Sequence, residues 1–127
     1  MTLDTMEPTP TWDGTAYEDT VDVLAAHDDL TYKVWGGDWC KDCRAVLPDF
    51  AAALSAAGVP EDRIEHYPVE REDGEKVGPK VEEYGIELIP TIIVERDGEE
   101  VARFVEEADR PAAVLIAEQL EDLEATA

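Results

Sequence analysis

The 127-residue sequence predicts one α/β domain, in which a central mixed β-sheet carries helices on both faces. Segments with helical periodicity alternate with short β-rich segments along the chain. The last two β-rich segments flank Asp97-Gly98, which is a strong hairpin signal and would give the sheet an antiparallel edge. With 44% hydrophobic residues, the chain is long enough for one core and too short for two.

The N-terminal part of the chain is expected to be an extended arm over residues 1–11, followed by a single domain over 12–127. Apolar residues at helical spacing and β-rich alternation then predict the first three elements. These are a helix over 13–27, a strand over 30–35, and a helix over 40–57 with a kink at Pro48 and an end at Gly58.

In the C-terminal part of the chain helical and β-rich segments also follow one another, and the last is a helix that begins near residues 109–111. Its apolar positions Val114, Ala117, Leu120 and Leu123 are expected to face the core. The elements predicted before it are a strand over 63–69, a solvated charged loop over 70–76, a short helix over 79–84, and two strands over 91–96 and 100–105.

The two cysteines of the chain lie three positions apart in Trp39-Cys40-Lys41-Asp42-Cys43, where a predicted strand gives way to a predicted helix. Unpaired N–H groups and the helix dipole favour an anion at a helix N-terminus. We therefore expect Cys40 to be the nucleophilic thiolate and Cys43, one turn further on, to be the resolving thiol.

Two other readings of the cysteine pair are inert core thiols and one half of a zinc site. A structural zinc site needs about four ligands, and the sequence has no second cysteine pair. His27 and His66 are not spaced as ligands to the pair, and packing is the favoured role for both. No metal and no cofactor are therefore expected.

The formal net charge of −22 argues against a generic binder of nucleic acid or anionic membrane, since phosphates would be repelled. The acidic residues are dispersed, as in a protein adapted to concentrated salt, although an ordinary acidic cytosolic protein is the alternative. No secretory signal or membrane span is visible, so we expect a cytoplasmic protein. In that compartment a close cysteine pair indicates catalysis, sensing or metal binding.

Residues 30 to 123 resemble the thioredoxin family. The resemblance rests on Trp39-Cys40-x-x-Cys43 after a strand, Pro48 five residues later, Ile89-Pro90-Thr91 opening a strand, and the Asp97-Gly98 hairpin before the last helix. It implies a three-layer thioredoxin-like fold and a cis Ile89–Pro90 bond beside Cys40. It also implies that the Ile89 backbone pairs with an extended substrate segment.

The resemblance further implies a thiol–disulfide oxidoreductase that acts in cell redox homeostasis. Cys40 and Cys43 would be catalytic, and a protein disulfide reductase is the expected activity. The expected partners are protein disulfides and an upstream thiol reductant such as a thioredoxin reductase, and the protein is expected to be a monomer. The substrate surface would comprise Trp39, Lys41, Asp42, Ile89 and Pro90.

The sequence departs from the family pattern at several positions. Lys41-Asp42 replaces the Gly-Pro found in many thioredoxins, and the two opposite charges leave the net effect on Cys40 open. Val34 stands where many members have a buried aspartate, so Asp38, Asp42 or a water would have to exchange the Cys43 proton. Glu106 replaces a glycine of the substrate groove.

These departures keep a second hypothesis open, in which the dithiol of a thioredoxin-like sensor or binding module changes a partner interaction without turnover. A peroxide-reducing enzyme is a third, weaker reading. It would need an activated cysteine near an arginine and a threonine, and the motif offers no clear set.

Overall fold

The computed structural model describes residues 6, 17–27, 29–37, 40–72, 75–78, 80–86, 88–105 and 112–125. This part of the chain holds three α-helices and six strands, and five of the strands follow one another between the second and third helices. In chain order they are α1 (Glu18–Ala26), β1 (Thr31–Gly36), α2 (Lys41–Ala56), β2 (Ile64–Pro68), β3 (Glu70–Glu72), β4 (Glu75–Val77), β5 (Thr91–Arg96), β6 (Glu99–Val105) and α3 (Ala112–Ala125).

The main sheet has the strand order β2-β1-β5-β6. Strands β1 and β2 are parallel, whereas β5 is antiparallel to both of its neighbours, β1 and β6. The predicted mixed sheet is therefore confirmed, and the Asp97-Gly98 hairpin supplies its antiparallel edge. Both hairpin residues have positive φ, 52° at Asp97 and 83° at Gly98, as a tight two-residue turn requires.

One face of the sheet packs against the helices. Side chains alternate along a strand, so Tyr32 and Val34 share this face. The Tyr32 ring meets the Phe50 ring of α2 edge-on, with centroids 6.1 Å apart. The three helices also contact one another over this face. Fully buried side chains here include Leu24, Val34, Leu47, Phe50, Ile92, Phe104, Ile116 and Leu120.

The opposite face of β1 presents Lys33 and Trp35 and is covered by the segment 80–86. The Trp35 ring stacks on the Tyr67 ring at 4.6 Å and lies 5.0 Å from the Tyr84 ring. The prediction of a short helix over 79–84 is wrong, because residues 80–85 form consecutive turns. Lys80 has a φ of 59°, and this left-handed conformation cannot belong to a right-handed helix.

The Lys33 ammonium is the centre of a polar cluster on this face. Lys33 is only 7% exposed, and its Nζ lies 3.0 Å from a Glu65 oxygen and 3.7 Å from a Glu95 oxygen. It also donates to the Tyr67 hydroxyl at 3.3 Å. Burial alone would lower the pKa of Lys33, but the contacts with Glu65 and Tyr67 outweigh it and raise that pKa.

The charged segment 70–76 is not the solvated loop that the sequence predicted. Strands β3 and β4 pair within it as a two-stranded antiparallel ribbon. The sequence did hold a signal for this pairing, since Asp73-Gly74 is the same dipeptide type that marked the hairpin at 97–98. Asp73 and Gly74 themselves lie outside the described residues.

The remaining boundaries differ from the predictions by a few residues. Helix α1 begins at Glu18, and the predicted positions 13–16 lie outside the described part. Pro48 lies inside α2, as predicted, and Gly58 follows the end of that helix with a φ of 77°.

Helix α3 buries Ala117 and Leu120, as expected. Val114, however, is only partly buried, whereas Ile116 is completely buried. The apolar face is therefore wider than predicted, because α3 contacts β6, α1 and α2 together. None of the described helices is both long enough and apolar enough to span a bilayer.

Candidate functional site

The two cysteines lie where β1 passes into α2. At this edge of the sheet, Gly36 of β1 is opposite Pro68 of β2, and Trp35 is opposite Thr91 of β5. The connection from Gly36 to Cys40 therefore leaves the sheet between the end of β2 and the start of β5. A parallel strand followed by a helix brings the helix N-terminus to this edge.

Cys40 is the N-cap residue of α2, with an extended backbone at φ −88° and ψ 124°. Its backbone N–H donates to the Gly37 carbonyl at 3.0 Å, and its carbonyl accepts from the Arg44 N–H at 3.1 Å. The side chain is partly exposed. Of the two sulfurs, Cys40 Sγ is thus the one that solvent reaches, at the helix end where the backbone dipoles favour an anion.

Cys43 is completely buried, one helical turn after Cys40. Its Sγ accepts a hydrogen bond from the Gly37 backbone N–H at 3.4 Å. Burial raises the pKa of Cys43 to about 12; the Gly37 hydrogen bond opposes the rise, while Cys40 and Asp42 add to it. Both cysteines are free thiols in this structure, so Cys43 is a protonated reserve thiol behind an accessible one.

The Ile89–Pro90 peptide bond is cis, which is the isomer that the family resemblance implies. Ile89 and Pro90 are both buried, and the Ile89 carbonyl faces Cys40 Sγ at 4.0 Å. Thr91 Oγ1 donates to the Leu88 carbonyl at 2.5 Å and closes the turn before β5. The structure therefore brings the proline loop to the accessible sulfur, although the loop is 49 positions from Cys40 in the sequence.

The other predicted surface residues are only partly described. Lys41 and Asp42 are exposed in the first turn of α2, next to Cys40. Trp39, Asp38 and Glu106 lie outside the described residues. Asp42 is the acidic residue whose charge acts on Cys43, and this charge raises the pKa of the buried thiol.

Val34 is completely buried and pairs in register with His66. An apolar side chain therefore fills the position where many thioredoxins carry a carboxylate. His27 is also buried, with Nδ1 2.8 Å from the Val23 carbonyl oxygen. In the described ranges, no three His, Cys, Asp or Glu side chains converge as a metal site.

Sequence reasoning did not find Gly37 as the donor to Cys43, nor the Ile89 carbonyl as the neighbour of the Cys40 thiol. Both are backbone groups, and side-chain identity carries no direct signal for them. The pair Gly36-Gly37 was the available hint, because a close approach of backbone to a side chain often falls on glycine.

Comparison with known families gives a match to the thioredoxin family over residues 12–119. The chain belongs to the thioredoxin family. Membership and fold together support a thiol–disulfide oxidoreductase type of role. A search of curated proteins finds no match to this chain.

Solved thioredoxin structures resemble this member of the family at low sequence identity. Oxidised mitochondrial thioredoxin 3 from Saccharomyces cerevisiae is 17% identical with a TM-score of 0.51, over 84% of this chain and 89% of that one. A mutant thioredoxin from Halobacterium salinarum is 19% identical with a TM-score of 0.49, over 96% of this chain and 95% of that one. The yeast structure supports the thioredoxin-like fold predicted from the sequence.

Proposed function

We propose that the protein reduces protein disulfides through a reversible Cys40–Cys43 dithiol. The observation that carries this proposal is the pairing of a partly exposed sulfur at the N-terminus of α2 with a buried free thiol one turn behind it. Such a pair can first attack an external disulfide and then release it.

In the first step the Cys40 thiolate attacks one sulfur of the substrate disulfide. A Cys40–substrate bond forms, the substrate S–S bond breaks, and the departing sulfur leaves as a thiolate. Cys43 then gives up its proton and attacks Cys40 Sγ. The Cys40–Cys43 bond forms, and the second substrate sulfur leaves and takes a proton.

Two electrons have then passed from the dithiol to the substrate, and an upstream thiol reductant such as a thioredoxin reductase must return them. Ile89 and Pro90 support substrate binding beside Cys40, because an extended segment can pair with backbone next to the proline. Trp39, Lys41 and Asp42 would complete the contact surface around the sulfurs.

Turnover with insulin as the disulfide substrate and dithiothreitol as the reductant tests this function. We expect Cys40→Ser to abolish turnover, and Cys43→Ser to hold the substrate as a mixed disulfide, since the attacking thiol remains. Ser55→Ala, on an exposed turn of α2, is the matched control and should keep full activity. Turnover that survives Cys40→Ser would contradict the proposed mechanism.

A second candidate is a redox sensor that changes a partner interaction without turnover. The raised pKa of Cys43 and the apolar Val34 favour it, because both slow removal of the Cys43 proton. The two candidates differ in one experiment. A sensor binds its partner differently in the oxidised and reduced states while insulin turnover stays negligible.

A further inference from the structure

The β3–β4 ribbon, Glu70–Glu72 with Glu75–Val77, follows strand β2 and has no part in the proposed exchange. Strand β2 ends at Pro68, opposite Gly36, and the next N–H, from Val69, donates to the Gly36 carbonyl at 2.7 Å. Because Gly36 leads toward Cys40, the ribbon starts at the same edge of the sheet as the cysteines. It lies on the β2 side, whereas Ile89–Pro90 lies on the β5 side.

The base of the ribbon is held closely against β2. Val69 is only 1% exposed. A Cβ atom at Gly78, just after β4, would lie 2.8 Å from the Pro68 carbonyl oxygen and 3.3 Å from Val69 Cα. A side chain there would clash with backbone, so Gly78 permits the chain to return against the start of the ribbon.

The ribbon has two strands and no third strand in the part of the chain that the structure describes. Isolated two-stranded ribbons are marginally stable, and their open edges can accept another strand. Glu70 is exposed, and its cross-strand partner Val77 is 40% exposed. Val77 is the large apolar residue left exposed within the described ranges.

The cross-strand register opposes like charges. Arg71 lies opposite Lys76, and Glu72 lies opposite Glu75. Like charges at directly opposed positions destabilise a ribbon. By residue type, the two strands offer each other like charges at these register positions, and a third strand of complementary charge order would offer opposite ones.

Strand β3 carries a complete alternation of charge, Glu70-Arg71-Glu72, whereas β4 ends at apolar Val77. We propose that the edge of β3 that is not paired with β4, and that has no other strand partner among the described residues, binds an extended segment of a protein disulfide substrate in which basic, acidic and basic residues follow one another. This inference rests on the proposed reductase function. Main-chain hydrogen bonds would provide affinity, and the order of charges would provide specificity.

Two cysteine-free peptides of equal composition and net charge test the edge directly. Both carry their charges in a threonine background, one as Lys-Glu-Lys and the other as Lys-Lys-Glu. Calorimetry with the reduced full-length protein should show about tenfold tighter binding of Lys-Glu-Lys, since two opposed pairs change. If the two peptides bind with equal affinity, only general charge attraction is at work, and the proposal is overturned.

A charge-inverted variant makes the test specific to β3. Glu70→Lys combined with Arg71→Glu and Glu72→Lys should lose the preference for Lys-Glu-Lys and prefer Glu-Lys-Glu. The triple variant changes the net charge by the same amount as Glu61→Lys, which is exposed in the turn before β2. If Glu61→Lys changes the preference as much as the triple variant does, the β3 edge is not the binding surface.

Reduction assays separate this proposal from the one on which it rests. Disulfide-bearing versions of the two peptides should differ in KM, while reduction of glutathione disulfide, which lacks the charged triad, should be equal in wild type and triple variant. If the wild type reduces no disulfide, the reductase function fails and the binding data alone decide about β3. If it reduces both peptides with the same KM, the reductase function stands and the β3 proposal fails.

Discussion

The backbone N–H of Gly37 donates a hydrogen bond to Cys43 Sγ at 3.4 Å. This contact joins the end of β1 to the first turn of α2. It also places the buried thiol under the backbone that leads to Cys40. Because a thiolate accepts such a bond more strongly than a thiol does, the Gly37 N–H is available to stabilise Cys43 when its proton leaves.

The first prediction concerns the pH dependence of stability in the reduced protein. In the folded chain burial raises the pKa of Cys43 to about 12, whereas a cysteine in the unfolded chain has a pKa of about 8.5. The native state therefore binds more protons between these values. Stability from this group is complete below the unfolded pKa and is lost as the pH rises toward the folded one.

Thermal unfolding of the reduced protein across this alkaline range measures the effect. We expect the wild-type Tm to fall with pH more steeply than the Tm of Cys43→Ser. Burial raises the pKa of Tyr32 as well, so Tyr32→Phe is the control for tyrosine ionisation. Equal slopes for wild type and Cys43→Ser would show that the thiol does not contribute.

The second prediction concerns Val34, which is completely buried beside His66. Val34→Asp buries a carboxyl group among apolar side chains and should lower the free energy of unfolding by about 3 kcal/mol. If a carboxylate here accepts the Cys43 proton, as the family resemblance implies, the mixed disulfide should resolve faster at neutral pH. Val34→Asn, which cannot ionise, should lose stability without that acceleration.

The third prediction concerns Lys33. Lys33→Met removes the cation that lies between Glu65 and Glu95 and leaves two carboxylates facing each other on the sheet. Glu65 is 43% exposed, so solvent screens part of the loss. We expect chemical denaturation to show that Lys33→Met lowers the free energy of unfolding by about 2 to 3 kcal/mol. Arg63→Met, at an exposed site, should change stability much less.

The sheet and the dithiol were predictable because their signals are local. Alternating residues marked β1, a strong dipeptide marked the β5–β6 hairpin, and the spacing of Cys40 and Cys43 placed both on one helix end. The Lys33 cluster was not predictable in the same way. Lys33, Glu65, Tyr67 and Glu95 come from three strands, and only the sheet register brings them together.

The turns over 80–85 were mistaken for a helix for a related reason. A proline followed by mixed polar and apolar residues is compatible with the start of a helix and with a series of turns. Lys80 has a left-handed backbone, and its ammonium makes a tertiary contact, 5.7 Å from the centre of the Tyr67 ring. Sequence propensity does not contain that contact.

The fourth prediction concerns the outer edge of β6. The Gln119 amide of α3 accepts from the Arg103 N–H at 2.8 Å and donates to the Arg103 carbonyl at 2.9 Å, as a neighbouring strand would. Gln119→Leu keeps a similar side-chain size but loses both hydrogen bonds to Arg103. It should lower the free energy of unfolding by about 1 to 3 kcal/mol. Hydrogen exchange at the Arg103 amide should quicken, whereas exposed Asp122→Asn should leave it unchanged.

The fifth prediction concerns salt. With 32 acidic and 10 basic residues, the folded chain repels itself, and added salt screens that repulsion. We therefore expect the Tm to rise between low and molar concentrations of potassium chloride. Urea is uncharged, so urea unfolding at each salt concentration measures the change in the free energy of unfolding. A urea midpoint that does not change with salt would contradict adaptation to concentrated salt.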